Sequence, residues 1–164
     1  MSDSGNAQKV TIARVRLREL MALQRLFAQA VRDHFDYFAP AVQQKIIADH
    51  SLSRLAKAMV DSRRVILVAR TPEKLIGYAV AATSKTGLNQ LFWLYVDPDF
   101  RGANTGLSLL SRSLKHLRAK GAHEVWIATH DYRKYYERQG FTFIRKDIVH
   151  GAEMDILSFN FREQ

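Results

Sequence analysis

The stretch from Leu91 to Thr129 constrains the fold of this chain more than any other part of it. Leu91–Val96 is rich in aromatic and β-branched residues, which is typical of a strand. Gly106–Lys120 carries leucines at the spacing of one helical face, and Glu124–Thr129 has the pattern of a second strand. Strand, loop, helix and strand in this order predict a βαβ unit with two parallel strands and a right-handed crossover.

The remaining segments surround this unit in an order that is not a regular βαβ repeat. Apolar patterns predict further strands over Val10–Leu17, Val65–Ala69, Leu75–Ala82, Phe141–Val149 and Met154–Phe161. Helical spacing predicts helices over Arg18–Phe35, Ala39–Asp49, Ser51–Val60 and Asp131–Arg138. We expect a polar, disordered lead over residues 1–9 and one α/β (α+β) domain over residues 10–164. In that domain a mixed, mostly antiparallel sheet is flanked by helices, with the βαβ unit at its centre.

Two finer expectations concern buried faces and helix starts. Leu107, Leu110, Leu114 and Leu117 should form the buried face of the helix in the βαβ unit. Leu17 should share a strand face with Ala13 and Val15, and Asp131 should cap the short helix that follows it.

Composition excludes several classes of protein. The chain of 164 residues has no cysteine, which rules out a disulfide scaffold, a thiol nucleophile and cysteine-ligated zinc. The histidines show no metal-ligand spacing, so we predict no metal. No apolar run is long enough to cross a bilayer and the start of the chain lacks a signal-peptide core, so we expect a cytoplasmic protein with no membrane partner.

The net charge of +9 is placed unevenly. The stretch from Arg101 to Lys146 carries ten Lys or Arg against three Asp or Glu. A basic field attracts polyanions such as phosphorylated cofactors, nucleic acid or acidic lipids. A basic surface that only aids solubility is the plainer alternative.

The loop from Asp97 to Thr105 has the features of a phosphate site. Gly102, Asn104 and Gly106 allow positive φ or close backbone approach, so successive N–H groups can face one point. The helix that follows directs its positive dipole end to the same place, and Arg101 adds a full charge. A tight turn without a ligand remains the alternative, and neither a Walker loop nor a dinucleotide fingerprint fits.

Two motifs in this half of the chain resemble those of the GNAT N-acetyltransferase superfamily. The stretch around Arg101–Gly106 is similar to the family's coenzyme A loop, Gln/Arg-x-x-Gly-x-Gly/Ala, with Asn104 in place of the first glycine. Tyr135–Phe141 is similar to the family's aromatic-Tyr-Glu-x-x-Gly-Phe segment. The two motifs occur in the family's order among the expected elements. The resemblance therefore covers nearly the whole domain and implies transfer of an acetyl group from acetyl-CoA to an amine that attacks the thioester directly.

The resemblance also implies a set of site residues. Backbone groups near Leu94, Tyr95 and Val96 would pair with pantetheine, as would Thr129 or His130 at the family's asparagine position. The pyrophosphate would be held by Arg101, Gly102, Ala103, Asn104, Thr105 and Gly106. Tyr136 matches the family tyrosine that protonates the leaving thiolate. Because Leu88–Tyr95 has no carboxylate, the general base is Tyr95, His130 or an ordered water.

The acceptor would be bound by the N-terminal half, where carboxylates alternate with aromatic residues. Asp33 or Asp36 would pair with a cationic amine, and Tyr37 would flank it together with Phe35 and Phe38. The alternative is a helix end packed on the core. The acceptor is a small-molecule or protein amine, a polyamine is disfavoured by the net charge, and a homodimer is left open.

Two other functions compete with catalysis. One is a non-catalytic acyl-CoA-binding module of the same fold. The other is a basic nucleic-acid-binding domain, which is disfavoured because no nucleic-acid-binding motif is present. Its candidate patch is Lys134, Arg138, Arg145 and Lys146.

Overall fold

The computed structural model describes residues 8–163. The predicted N-terminal lead therefore lies almost entirely outside the described residues. The strands are β1 Thr11–Arg14, β2 Arg64–Arg70, β3 Leu75–Ala82, β4 Gln90–Val96, β5 Glu124–Thr129, β6 Thr142–Val149 and β7 Ala152–Asn160. The helices are α1 Leu20–His34, α2 Pro40–Asp49, α3 Leu52–Val60, α4 Thr105–Ala119 and α5 Arg133–Arg138.

The strands form one seven-stranded sheet in the order β1-β2-β3-β4-β5-β7-β6. The β4–β5 pair is parallel and every other neighbouring pair is antiparallel. This arrangement confirms the predicted mostly antiparallel sheet with a βαβ unit, β4-α4-β5, at its centre.

Helices cover both faces of the sheet, so a central strand such as β2 must be apolar on both sides. Val65, Leu67 and Ala69 belong to the core beneath α4, whereas Ile66 and Val68 belong to the core beneath α1 and α3. A strand buried on both faces is apolar throughout instead of alternating, and β2 is buried from Val65 to Ala69.

The buried face of α4 differs from the prediction by one leucine. Leu109, Leu110 and Leu117 are fully buried and Leu114 is largely buried, whereas Leu107 is 37% exposed. The set with Leu107 and the set with Leu109 both have helical spacing, so periodicity alone could not show which of the two leucines is buried. Leu107 lies in the first turn of α4, where it lines a cavity and not the core.

Two predicted element boundaries, the end of β1 and the start of α5, were also wrong. Leu17 does not continue β1 but begins a 3₁₀ turn, and its side chain is 68% exposed. Tyr132, not Asp131, occupies the N-cap position of α5. Asp131 instead contacts the neighbouring His130.

The last two strands are joined by a tight turn at His150 and Gly151, both with positive φ (52° and 80°). Two such residues in succession favour a hairpin turn that follows the twist of the strands. The turn places Val149 opposite Ala152. Across residues 8–163, no helix has both the length and the apolar character needed to span a bilayer.

Candidate active site

The two parallel strands at the centre of the sheet separate soon after they meet. Their ladder contains the single pair Gln90 and Trp126 among the described residues. The buried side chain of Asn89 fixes this junction, because its amide donates to the carbonyls of Gly87 and Glu124, both at 3.0 Å. Beyond the junction, the β4 backbone facing β5 is left without a strand partner over the described part of both strands.

A β-bulge in β4 accounts for the separation. In the β3–β4 ladder Val80 lies opposite Trp93 and Ala81 lies opposite Leu91, so Phe92 is an extra residue. A bulge bends its strand and increases the local twist. The bend directs β4 away from β5 and opens a cavity of about 460 Å³ between them.

The cavity contains most of the residues singled out from the sequence. Every predicted coenzyme contact except Ala103 lines it, and so do Tyr136, His130 and Tyr37. Asp33 and Asp36 are exposed and do not belong to its lining.

One end of the cavity is the N-terminus of α4. Gly102 and Asn104 adopt positive φ (88° and 60°), as the sequence predicts, and Asn104 occupies the N-cap position. The first bond inside the helix runs from the N–H of Ser108 to the carbonyl of Asn104, 2.9 Å. The N–H groups of the first turn have no acceptor within the helix. Their residues, Thr105, Gly106 and Leu107, all line the cavity, and such a helix end attracts anions.

Arg101 is held beside this helix end. Its Nε donates to the carbonyl of Val96 at 2.9 Å, and its guanidinium lies 5.9 Å from the centre of the Tyr95 ring. The loop before it is fixed by Asp97, whose carboxylate accepts from the N–H of Asp99 at 3.0 Å. The positive charge of Arg101 therefore stays at the end of β4.

Two adjacent tyrosines of α5 face the cavity. Tyr136 is buried and packs its ring against Tyr135 and Phe141, with centroids 5.2 and 5.5 Å apart. Burial raises the pKa of Tyr136, so its phenol keeps its proton at neutral pH. The hydroxyl of Tyr135 is buried without a hydrogen-bond partner among the described residues, close to Gly106. We did not predict a role for Tyr135, and the only signal in the sequence was its place before Tyr136.

His130 forms a second polar group at the end of β5. Its Nδ1 lies 2.7 Å from Oδ1 of Asp131, and its ring stacks on Tyr37 with centroids 4.1 Å apart. Burial, followed by the nearby carboxylate of Asp131, raises the pKa of Tyr37. With Nδ1 bound to the carboxylate, Nε2 is the ring nitrogen that can accept a proton. Sequence reasoning missed the Asp131 partner because it assigned that residue to a helix cap.

Tyr95, the other side chain considered as a base, is less suited to that role. It is buried and stacks on the fully buried Tyr78, with centroids 5.6 Å apart. Burial raises the pKa of Tyr95, which depletes the phenolate that would accept a proton. Over the described chain, no cluster of three His, Asp or Glu is arranged to hold a metal ion.

Two parallel strands that separate around an anion-attracting helix end, with a buried tyrosine beside them, define an acyltransferase of the GNAT type. The model of the acetyltransferase (GNAT) family matches residues 22–141, more than half of the chain. The chain belongs to this family and is an N-acetyltransferase by class.

Individual relatives agree with this assignment. An uncharacterised N-acetyltransferase of Mycobacterium tuberculosis is 31% identical over 111 residues, which cover 62% of this chain and 71% of the relative. The PaiA N-acetyltransferase of Thermoplasma acidophilum, solved with coenzyme A, is 18% identical with a TM-score of 0.77, over 93% of this chain and 99% of that one. YncA of Salmonella typhimurium, solved with acetyl-CoA, is 18% identical with a TM-score of 0.68, over 93% and 94%. At these identities the two structures establish the fold alone.

Proposed function

We propose that this protein transfers the acetyl group of acetyl-CoA to a primary amine by direct attack of the amine on the thioester. The observation that carries the proposal is the cavity between β4 and β5. Its lining brings together the N-terminus of α4, the edge of β4 that has no strand partner, the buried Tyr136, and His130 with its partner Asp131.

The donor end of the cavity suits a coenzyme A pyrophosphate. The N–H groups of Thr105, Gly106 and Leu107 supply donors, and Arg101 supplies a positive charge that matches a dianion. The unpaired backbone of Leu94–Val96 offers the donors and acceptors that the amides of pantetheine need, as in the addition of a strand to a sheet. PaiA and YncA, which share the fold, were solved with coenzyme A and acetyl-CoA.

The proposed chemistry assigns one proton transfer to each of two side chains. His130, oriented by Asp131, removes a proton from the ammonium so that the nitrogen gains a free electron pair. The nitrogen then bonds to the carbonyl carbon, a β4 N–H stabilises the developing oxyanion, and the carbon–sulfur bond breaks. Tyr136 gives its proton to the departing sulfur. Two protons leave the nitrogen in all: one passes through His130 to solvent, and the other restores the proton that Tyr136 gave up.

The competing nucleic-acid interpretation receives little support from the basic patch. Lys146 lies within salt-bridge distance of Glu153 and Asp155, at 3.1 and 3.3 Å. Arg145 pairs with Asp147 at 3.2 Å. These pairs offset the charge of two of the four patch residues that a phosphate backbone would need.

Calorimetric titration of acetyl-CoA into the purified protein tests donor binding, with desulfo-CoA and ATP as comparison ligands. We expect binding of acetyl-CoA and desulfo-CoA that is stronger than binding of ATP and is weakened in Arg101→Ala. Equal affinity for ATP would reduce the site to a general polyanion patch, and no binding would contradict the proposal.

Turnover is measured as thiol release with a thiol-reactive dye. The chain has no cysteine, so every thiol detected comes from the coenzyme. Binding without thiol release in the presence of any amine would favour the non-catalytic acyl-CoA-binding alternative.

A further inference from the structure

Four aromatic side chains of the cavity lining form two stacked pairs, which we call the acceptor wall: Phe35, Tyr37, Trp93 and His130. Phe35 stacks on Trp93 with centroids 5.7 Å apart and planes 20° apart. Tyr37 and His130 form the second stacked pair, and Phe35 and Tyr37 connect the two at 5.9 Å. The wall therefore presents flat ring surfaces drawn from the chain after α1, from β4 and from the end of β5.

Charge is scarce on the lining of this cavity. Among the described residues that line it, Asp131 is the one carboxylate and Arg101 is the one permanent cation. Asp131 is already bound to His130, and Arg101 lies at the donor end against the carbonyl of Val96. A buried charge without a partner is costly. On the lining itself, the second ammonium of a polyamine or the carboxylate of a free amino acid would meet no free counter-charge. Asp33 and Asp36 lie outside the lining but close enough to add to the effect of burial in raising the pKa of Tyr95 and Tyr37.

The pair of His130 and Asp131 at the end of the wall nevertheless suits a substrate with one positive charge. A histidine oriented by a carboxylate can remove the first proton of an amine that arrives as an ammonium, whereas an aniline arrives neutral and does not need that step. Ring faces also attract a single ammonium through cation–π interaction. The acceptor thus combines one basic amine with a flat apolar body.

We propose that the acceptor is a primary arylalkylamine, an aromatic ring joined by a short carbon chain to a single amino group. The ring stacks on the acceptor wall and the amine reaches Nε2 of His130. This inference rests on the proposed function, because it assigns the substrate class of the same site.

A panel of amines tests the inference by thiol release at fixed acetyl-CoA. It comprises 2-phenylethylamine, tryptamine, 2-cyclohexylethylamine, spermidine and a lysine peptide with a blocked N-terminus. We expect kcat/KM for 2-phenylethylamine to exceed that for its saturated analogue by up to about tenfold, the usual contribution of an aromatic pair beyond its buried area. Spermidine and the peptide should be poorer still.

The two tryptophans provide a matched pair of variants. Trp93→Leu should lower kcat/KM for 2-phenylethylamine by about tenfold and leave the cyclohexyl analogue nearly unchanged. Trp126→Leu, outside the cavity lining, should change neither. Calorimetry with acetyl-CoA on both variants checks that donor binding is intact.

The outcomes separate the inference from the proposed function. Acetyl-CoA binding with faster acetylation of spermidine or of the lysine peptide would overturn the arylalkylamine assignment and keep the acetyltransferase. An equal loss for 2-phenylethylamine and 2-cyclohexylethylamine in Trp93→Leu would also overturn it. If acetyl-CoA binds and no amine of the panel is acetylated, the arylalkylamine assignment fails, whereas failure of acetyl-CoA to bind overturns the proposed function as well.

Discussion

The imidazole of His130 lies flat on the phenol ring of Tyr37, with planes 2° apart and centroids separated by 4.1 Å. One residue ends β5 and the other follows α1, so this contact joins the two halves of the chain across the cavity. The stack fixes the plane of the imidazole. The contact of Nδ1 with Asp131 fixes its orientation within that plane and leaves Nε2 available.

Replacing His130 by phenylalanine separates its chemical role from its packing. The phenyl ring can keep the stack on Tyr37 but has no nitrogen to accept a proton. We expect kcat to fall by about 100-fold or more, within the usual range for a lost general base, with acetyl-CoA affinity unchanged. The residual rate should rise with pH, because more of the amine is then already neutral. Wild-type turnover in His130→Phe would exclude His130 as the base.

Replacing Tyr136 by phenylalanine should remove the proton donor for the sulfur. Because burial raises the pKa of Tyr136, the hydroxyl is protonated throughout the neutral range and the loss should appear at every neutral pH. We expect kcat to fall by about 100-fold with little change in thermal stability. Tyr135→Phe is the matched control on the next residue. Equal rates in the two variants would argue against a specific acid role for Tyr136.

Asn104 tests how far the coenzyme loop depends on glycine. It has φ 60° at the N-cap of α4 and its side chain makes no capping bond there. Asn104→Gly should keep or improve both stability and acetyl-CoA affinity. Asn104→Ala should destabilise by about 1 kcal/mol, because a Cβ disfavours this left-handed backbone and alanine lacks asparagine's tolerance for it. Thermal unfolding and calorimetry on both variants measure the two quantities, and weaker coenzyme binding by the glycine variant would contradict this view.

Gly77 lies in β3 at a position where a side chain would collide with β4. A Cβ there would lie 2.7 Å from the carbonyl oxygen of Tyr95, which is backbone and cannot move aside alone. Gly77→Ala should therefore destabilise by about 1–3 kcal/mol, typical of overpacking, and weaken coenzyme binding by displacing β4. Gly106→Ala is the contrast, because its Cβ would find only ordinary contacts at 3.7 Å. Denaturant unfolding should show no loss of stability for Gly106→Ala, and similar losses in both would refute the assigned cause.

His50 gives the fold a dependence on pH. Its ring stacks on Phe27 at 3.8 Å, and burial lowers its pKa below the ordinary 6.5. As pH falls below 6.5 the unfolded chain binds this proton first, so the free energy of unfolding decreases toward the folded-state pKa. His50→Phe should show a shallower loss of stability between pH 6.5 and pH 5 in denaturant unfolding, whatever its stability at pH 8. The slope that persists belongs to other groups, including His116, whose pKa is also lowered by burial. Identical slopes would show that His50 does not contribute.

Local pattern was sufficient to predict the main elements of the fold. Leu75–Ala82 and Glu124–Thr129 were predicted with the bounds that the structure shows, because strand alternation and turn residues define them locally. The buried face of α4 was only partly predictable. Leu107 and Leu109 fit two overlapping helical stripes, and the position of the cavity decides between them.

The parts of the candidate site that lie within one short sequence motif were predictable. The positive φ of Gly102 and Asn104 follows from residue type, whereas the stack of His130 on Tyr37 joins distant parts of the chain. The spacing of residues along the sequence contains no information on a contact between such distant positions. The placement of Asp33 and Asp36 outside the lining depends equally on how α1 meets the sheet, and their roles stay predictions.

The extra residue in β4 has a consequence for how this chain tolerates insertions and deletions. Leu91 faces the core beneath α4 and Trp93 faces the core beneath α1, so removing Phe92 would leave Ala81–Leu91 and Val80–Trp93 as consecutive pairs of a regular ladder. Trp93 and Tyr95 would keep their faces and their partners Val80 and Tyr78, but without the bulge β4 would be free to run straight alongside β5. A single deleted codon would thereby turn an open catalytic cleft into a continuous sheet, although every other amino acid that lines the cleft would still be encoded.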